Sequence, residues 1–178
     1  MSAERGFTLI ELLVTLAIAA ILASLAVPSF HTMLVNARLK TAAESLQNGI
    51  SLARSQAVQL NTLVELTLTD TGGWTVARAD SNTTFLQQSS NRERAEGLAL
   101  TATPDGANKV TFTPLGQVLA QNVTGAVLTP INTLDLTADN EADKHNDNIK
   151  ALRLQVLSSG SSRLCDPAAT LGSPKGCL

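Results

Sequence analysis

Aromatic side chains are the first thing this chain is short of: 178 residues contain four Phe, one Trp and no Tyr. Stacking platforms for bases or sugar rings are therefore not obvious. Charge is also sparse and balanced. Lys+Arg 13 against Asp+Glu 15 gives a net charge of −2, with no global basic bias toward nucleic acid or anionic lipid. There are two histidines, His31 and His145, in unrelated segments, and two cysteines, Cys165 and Cys177, close together near the C-terminus. A metal site would need more ligands than these offer. No Ser/His/Asp order, glycine-rich phosphate loop or paired-carboxylate context stands out, so the expectation is no enzyme, no catalytic residue, no metal and no cofactor. Internal repeats and low-complexity tracts are absent as well.

What the chain does have is one long apolar run. From Phe7 to Val27 there are 21 residues, with Glu11 the sole formal charge among them. At about 1.5 Å per residue this is a helix of roughly 31 Å, enough to cross a bilayer core. A carboxylate inside such a helix costs roughly 2.5–3.5 kcal/mol at its centre and less near an end, so Glu11 asks for a reason. If the chain were cut after Gly6, the new α-amino group of Phe7 would be a cation four residues from Glu11. The rival reading is a secretory signal, since Ser24-Leu25-Ala26 has the small-x-small form of a signal peptidase site. Against it stand Glu4 beside Arg5, the length of the run, and Glu11 within it.

Arg5-Gly6-Phe7-Thr8-Leu9-Ile10-Glu11, followed by an apolar helix and Pro28, resembles the type III signal of type IV pilins and type II secretion pseudopilins. That resemblance implies cleavage between Gly6 and Phe7 by a prepilin peptidase and N-methylation of Phe7. It also implies storage in the bacterial inner membrane with the head in the periplasm, then assembly into a filament with other pilins or pseudopilins. Glu11 would pair with the Phe7 amine of a neighbouring subunit. The implied division is a leader at 1–6, a transmembrane helix at 7–27, an amphipathic continuation at 28–60 and a β-rich head at 61–178.

Pro28 lacks an N–H and crowds the preceding turn, so a kink is expected there. Beyond it Leu39, Ala42, Ala43, Leu46, Ile50, Ala53, Ala57 and Leu60 recur at threes and fours, which extends the helix to Gln59 or Leu60. A coiled coil is the other reading of this stripe, but it lasts too few heptads. Gly49 reads as a weak point inside it, costing about 1 kcal/mol relative to Ala. After Leu60 the period becomes alternating. Val64, Leu66 and Leu68, then Gly72-Gly73 and Trp74–Ala77, read as a hairpin. Residues 80–96 read as a polar connection, Leu98–Thr103 and Lys109–Thr113 as strands separated by Pro104-Asp105-Gly106, and Thr124–Leu136 as a strand pair broken at Pro130. Ala138–Asn148 reads as a solvated acidic loop, Ile149–Leu157 and Ser161–Cys165 as strands joined at Ser159-Gly160, and the whole as an α+β fold with the head packed on the helix. In an extracytoplasmic head Cys165 and Cys177 would be joined.

The head narrows the resemblance. Arg54-Ser55-Gln56-Ala57-Val58, Phe112-Thr113-Pro114-Leu115-Gly116 and the Leu154–Cys165 segment around Ser159-Gly160 are similar to the GspH/FimT branch. Leu164-Cys165-Asp166-Pro167 with Cys177 looks like the FimT-type minor pilins, some of which bind double-stranded DNA in natural transformation through a Gly-Arg-x-Arg element. That element falls on Gly160, Ser161, Ser162 and Arg163, so the second arginine is kept and the first is a serine. Lys150, Arg153 and Lys175 are the candidate compensating DNA contacts beside Arg163. One lost phosphate contact flattens the salt dependence by about one unit of slope. The primary expectation is a minor pilin or pseudopilin acting at filament initiation or tip. The alternative is a DNA receptor.

Overall fold

The computed structural model describes residues 7–69, 73–79, 84–88, 97–120, 129–170 and 172–177. The leader with Gly6, Gly72 of the expected hairpin turn, residues 80–83 and 89–96 of the polar connection, and residues 124–128 lie outside them. The chain divides into two units, Met1–Val35 and Asn36–Leu178.

In the first unit the helix α1, Leu9–Leu60, begins. Thr8 caps it: its Oγ1 accepts from the Glu11 N–H at 3.3 Å, and its carbonyl accepts from Leu12 at 3.2 Å. Thr8-Leu9-Ile10-Glu11 thus has the spacing of a capping box, with Glu11 at the third helical position. The helical pattern continues through Pro28. A tertiary-amide position costs one backbone bond there, but it does not end the helix.

In the second unit Leu39, Ala43, Leu46, Ile50, Ala53 and Ala57 of α1 are all buried. Their spacing of alternating fours and threes keeps one stripe of the helix against the core. Two antiparallel sheets meet it. The first contains β1 (Val64–Leu68), β2 (Trp74–Arg78), β3 (Thr84–Gln88) and β5 (Lys109–Phe112) in the order β3-β2-β1-β5. The second contains β4 (Leu98–Thr103), β6 (Thr133–Ala138), β7 (Leu152–Val156) and β8 (Ser162–Cys165) in the order β4-β6-β7-β8. Val64 opposite Phe112 and Leu66 between Val76 and Val110 form the buried face of the first sheet. Leu134 opposite Leu154 does the same for the second.

Four expectations change. β3 lies inside the stretch read as a polar connection, because four of its five residues pair with β2 as a sheet edge across a register shift. β4 and β5, read as neighbours across Pro104-Asp105-Gly106, belong to different sheets. The acidic stretch holds a short helix α2, Glu141–Lys144, because the Asn140 Oδ1 accepts from the Ala142 N–H at 2.9 Å and caps it. Gly49 is no weak point. A Cβ on it would stand 2.8 Å from Trp74 Cδ2 and Cε2 and 3.0 Å from Leu66 Cδ1, so the missing side chain is what lets the indole lie against α1. The Trp74 Nε1–H donates to Ser45 Oγ at 3.3 Å and fixes the ring there.

Candidate functional site

The N-terminal turn of α1 is the first site. Phe7 is 86 % exposed, and Leu9, Ile10, Leu12, Leu13, Val14 and Leu16 are exposed around it. Within the described residues of this unit nothing covers that apolar surface. Lipid or partner helices are the environments in which such a surface is stable. Among the described residues α1 is the helix long and apolar enough to cross a membrane. Glu11 sits in its first turn, where the unpaired N–H groups and the helix dipole favour a carboxylate. This gives Glu11 a local role that the sequence reading did not include, though the Thr8-x-x-Glu11 spacing is its signal. It also leaves a negative group one turn from the Phe7 nitrogen.

The second site lies at the other end of α1, where the three head motifs meet. The Arg54 Nε–H donates to the Gly116 carbonyl at 3.0 Å. Gly116 has φ +75 and Gly160 has φ +80, both in the region that favours glycine. A Cβ on Gly160 would collide with the Gly116 carbonyl oxygen, so the close contact of these two turns needs glycine at 160. The Val118 N–H to the Ser158 carbonyl, at 3.0 Å, ties the same two turns together. A residue from α1, a turn that follows the first sheet and the β7–β8 turn of the second sheet are thus laced into one junction. Beside it is an open groove of about 530 Å³, lined by Val58 and polar side chains of α1 and by Gly160, Ser161 and Ser162.

The candidate DNA contacts are placed as follows. Arg153 makes a two-pronged pair with Asp135, Nε to Oδ1 at 2.6 Å and Nη2 to Oδ2 at 2.8 Å. That hydrogen bond raises the Arg153 pKa, with partial burial opposing it. The Arg163 Nη2 donates to the carbonyls of Pro174 and Gly176 at 3.2 and 3.1 Å. Gln155 is the cross-strand partner of Arg163 and Cys165 that of Arg153, so both guanidinium groups rise from one face of the β7–β8 pair. Lys175 is exposed in the C-terminal loop beside Arg163's acceptors. Lys150 is exposed before β7, its N–H donating to Asn36 Oδ1 at 3.0 Å. Cys165 and Cys177 are joined, with sulfurs 2.04 Å apart. His145 Nδ1 meets the Glu141 carbonyl at 2.9 Å. Among the described residues no three of His, Cys, Asp and Glu gather as a metal cluster.

Comparison with known proteins agrees with this arrangement. The model of the family described as type II transport protein GspH matches residues 42–161, about two-thirds of the chain. The prokaryotic N-terminal methylation motif matches residues 1–27. Among solved structures, the type IV minor pilin FimU of Pseudomonas aeruginosa is similar at a TM-score of 0.55 and 18% identity, covering 76% of this chain and 93% of that one. A second crystal form of FimU gives 0.51 at 15% identity, covering 75% and 98%. The minor pseudopilin EpsH of the Vibrio cholerae type 2 secretion system gives 0.50 at 18% identity, covering 74% and 99%. At these identities the likeness speaks for the fold. The family match covers the junction at Arg54, Gly116 and Gly160. This chain belongs to the GspH family and carries the prokaryotic N-terminal methylation motif, and that family is one of structural subunits rather than enzymes.

Proposed function

We propose that a prepilin peptidase cuts the chain between Gly6 and Phe7 and that the new Phe7 amine is N-methylated. Residues 7–27 then hold the product in the bacterial inner membrane, with the head in the periplasm. The subunit enters a type IV pilus or a type II secretion pseudopilus through α1, at the initiating end or the tip. The observation that carries this reading is the exposed apolar first part of α1, where the sole charge, Glu11, sits one turn from the amine that cleavage would create. In a low-dielectric filament interior an amine and a carboxylate from two subunits neutralise each other, and a neighbour in wrong register leaves both unpaired. Pro28 gives the helix a place to bend between its two environments. The test is mass spectrometry of the membrane-extracted protein, with and without the peptidase. The expected product begins at monomethylated Phe7 and appears only with the enzyme. A mature N-terminus at or after Ala26 would replace this reading with an ordinary secretory signal.

The DNA-receptor alternative draws on Arg163, Arg153, Lys150 and Lys175. Of these, Arg153 is neutralised by Asp135 and Arg163 braces the C-terminal loop, which favours a structural role for both. A mobility-shift assay with the full protein and double-stranded DNA is expected to show no complex at physiological salt. A complex lost on Arg163→Ala would establish the alternative.

A further inference from the structure

The junction at the C-terminal end of α1 presents a surface that the head's own folding does not use. The 113–117 turn is closed by the Gly116 N–H on the Thr113 carbonyl, the Thr113 N–H on the Gln117 carbonyl, both at 2.8 Å, and the Gln117 N–H on Thr113 Oγ1 at 3.2 Å. Arg54 and Ser158 brace it from two sides. On this braced turn Leu115 is 81% exposed, with Val58 of α1 at 51% and Leu157 of the neighbouring turn at 40%. A Cβ on Gly116 would touch Val58 Cγ2 at 3.3 Å, so the turn carrying Leu115 lies directly against Val58. A large apolar side chain held in water by a turn that cannot fold it away marks a contact surface.

Charge specifies the partner further. Arg54 uses its Nε on Gly116, and among the described residues no carboxylate lies within ion-pair distance of it. Arg54 lines the groove together with Val58, and among the described residues the rest of its fork takes no partner. Such a fork matches a carboxylate in two-pronged geometry. We propose that this surface docks the head of a different subunit of the same filament, through an apolar segment that carries an Asp or Glu. The inference rests on the assembly reading above. The acidic stretch of a second copy, residues 139–147, does not fit that description, since Ala142 is its sole apolar residue.

The test uses the full chain in its native membrane, co-expressed with the other chains of the same genome that carry this N-terminal signal. A photo-activated benzoylphenylalanine is placed at Leu115, and in a parallel sample at Ala20 in the apolar half of α1. The expected result is a Leu115 cross-link to the head of one of those chains, at an acid flanked by apolar residues. Val58→Asp sets a like charge against that acid. It should cut this cross-link by about tenfold or more, leaving the Ala20 cross-link unchanged. Cross-linking from Ala20 while Leu115 reaches only lipid, a second copy or nothing overturns the docking surface and leaves the assembly reading intact. Failure at both positions overturns both.

Discussion

Replacing Gly49 by Ala sets two effects of opposite sign against each other. Ala is the better helix former by about 1 kcal/mol, so propensity alone predicts a more stable protein. The structure predicts the reverse. The added methyl would sit 2.8 Å from two indole carbons of Trp74 and 3.0 Å from Leu66 Cδ1, inside the range that carbon atoms tolerate. Trp74 is 4% exposed and Leu66 is fully buried, so neither side chain has an outward route. The indole is also held by its bond to Ser45. Overpacking of this kind costs typically about 1–3 kcal/mol. Contacts below 3.0 Å on two indole carbons place the cost in the upper part of that range, about 2–3 kcal/mol, so net of the propensity gain Gly49→Ala should destabilise the head by about 1–2 kcal/mol, a fall in Tm of roughly 3–6 °C. Thermal unfolding of the full chain in detergent, followed by circular dichroism, reads this directly. The same substitution in a Trp74→Ala background should be neutral or stabilising, because the obstructing ring is gone. An unchanged or higher Tm for Gly49→Ala alone would refute the packing argument.

Three further outcomes follow from the same geometry. Gly160→Ala combines a positive φ with a clash against the Gly116 carbonyl and should cost more than about 2 kcal/mol, read as Tm, whereas Gly172→Ala meets only open space and should cost about 1 kcal/mol from its φ. Cys165→Ser removes a cross-link closing 12 residues of sequence and should cost up to about 3 kcal/mol, matched by wild type under reductant. Arg153→Gln should cost about 1 kcal/mol, since the two-pronged pair with Asp135 is partly solvent-screened. Because hydrogen bonding raises the Arg153 pKa, its contribution is complete below the unfolded value and is lost only as pH climbs through the folded one. The Arg153→Gln difference in Tm should therefore not shrink between neutral pH and pH 10, as a pH series of melts will check.

How much of this was legible beforehand depends on whether the cause was local. The stripe from Leu39 to Ala57 shows its helix in the spacing alone, and the alternation of Val64, Leu66 and Leu68 shows a strand. Both are properties of a few neighbouring residues. Thr84–Gln88 was read as connection because its strand character comes from pairing with β2, a tertiary cause. The assignment of β4 and β5 to different sheets was hidden for a similar reason: a turn triplet marks a change of direction but does not choose a partner. Gly49 misled because propensity scales price a glycine by its backbone, while here the decisive neighbour is Trp74, far along the chain. At the site, Glu11 stood out at once as a charge in an apolar run. The cap that Thr8 Oγ1 makes with the Glu11 N–H went unread, although the Thr8-x-x-Glu11 spacing signals it. The meeting of Arg54, Gly116 and Gly160 was not readable, since three motifs separated by dozens of residues converge only in the folded head.

On the proposed reading the Glu11 carboxylate serves assembly as well as favouring the N-terminus of α1. Glu11→Gln keeps a side chain able to cap the first turn and removes the charge. The fraction of this variant recovered in sheared filaments, relative to that in the membrane, is the measurement. Normal membrane levels and normal cleavage at Gly6 are expected, with incorporation sharply reduced for Glu11→Gln and for Glu11→Ala alike. Incorporation at the wild-type level for both variants would contradict that reading.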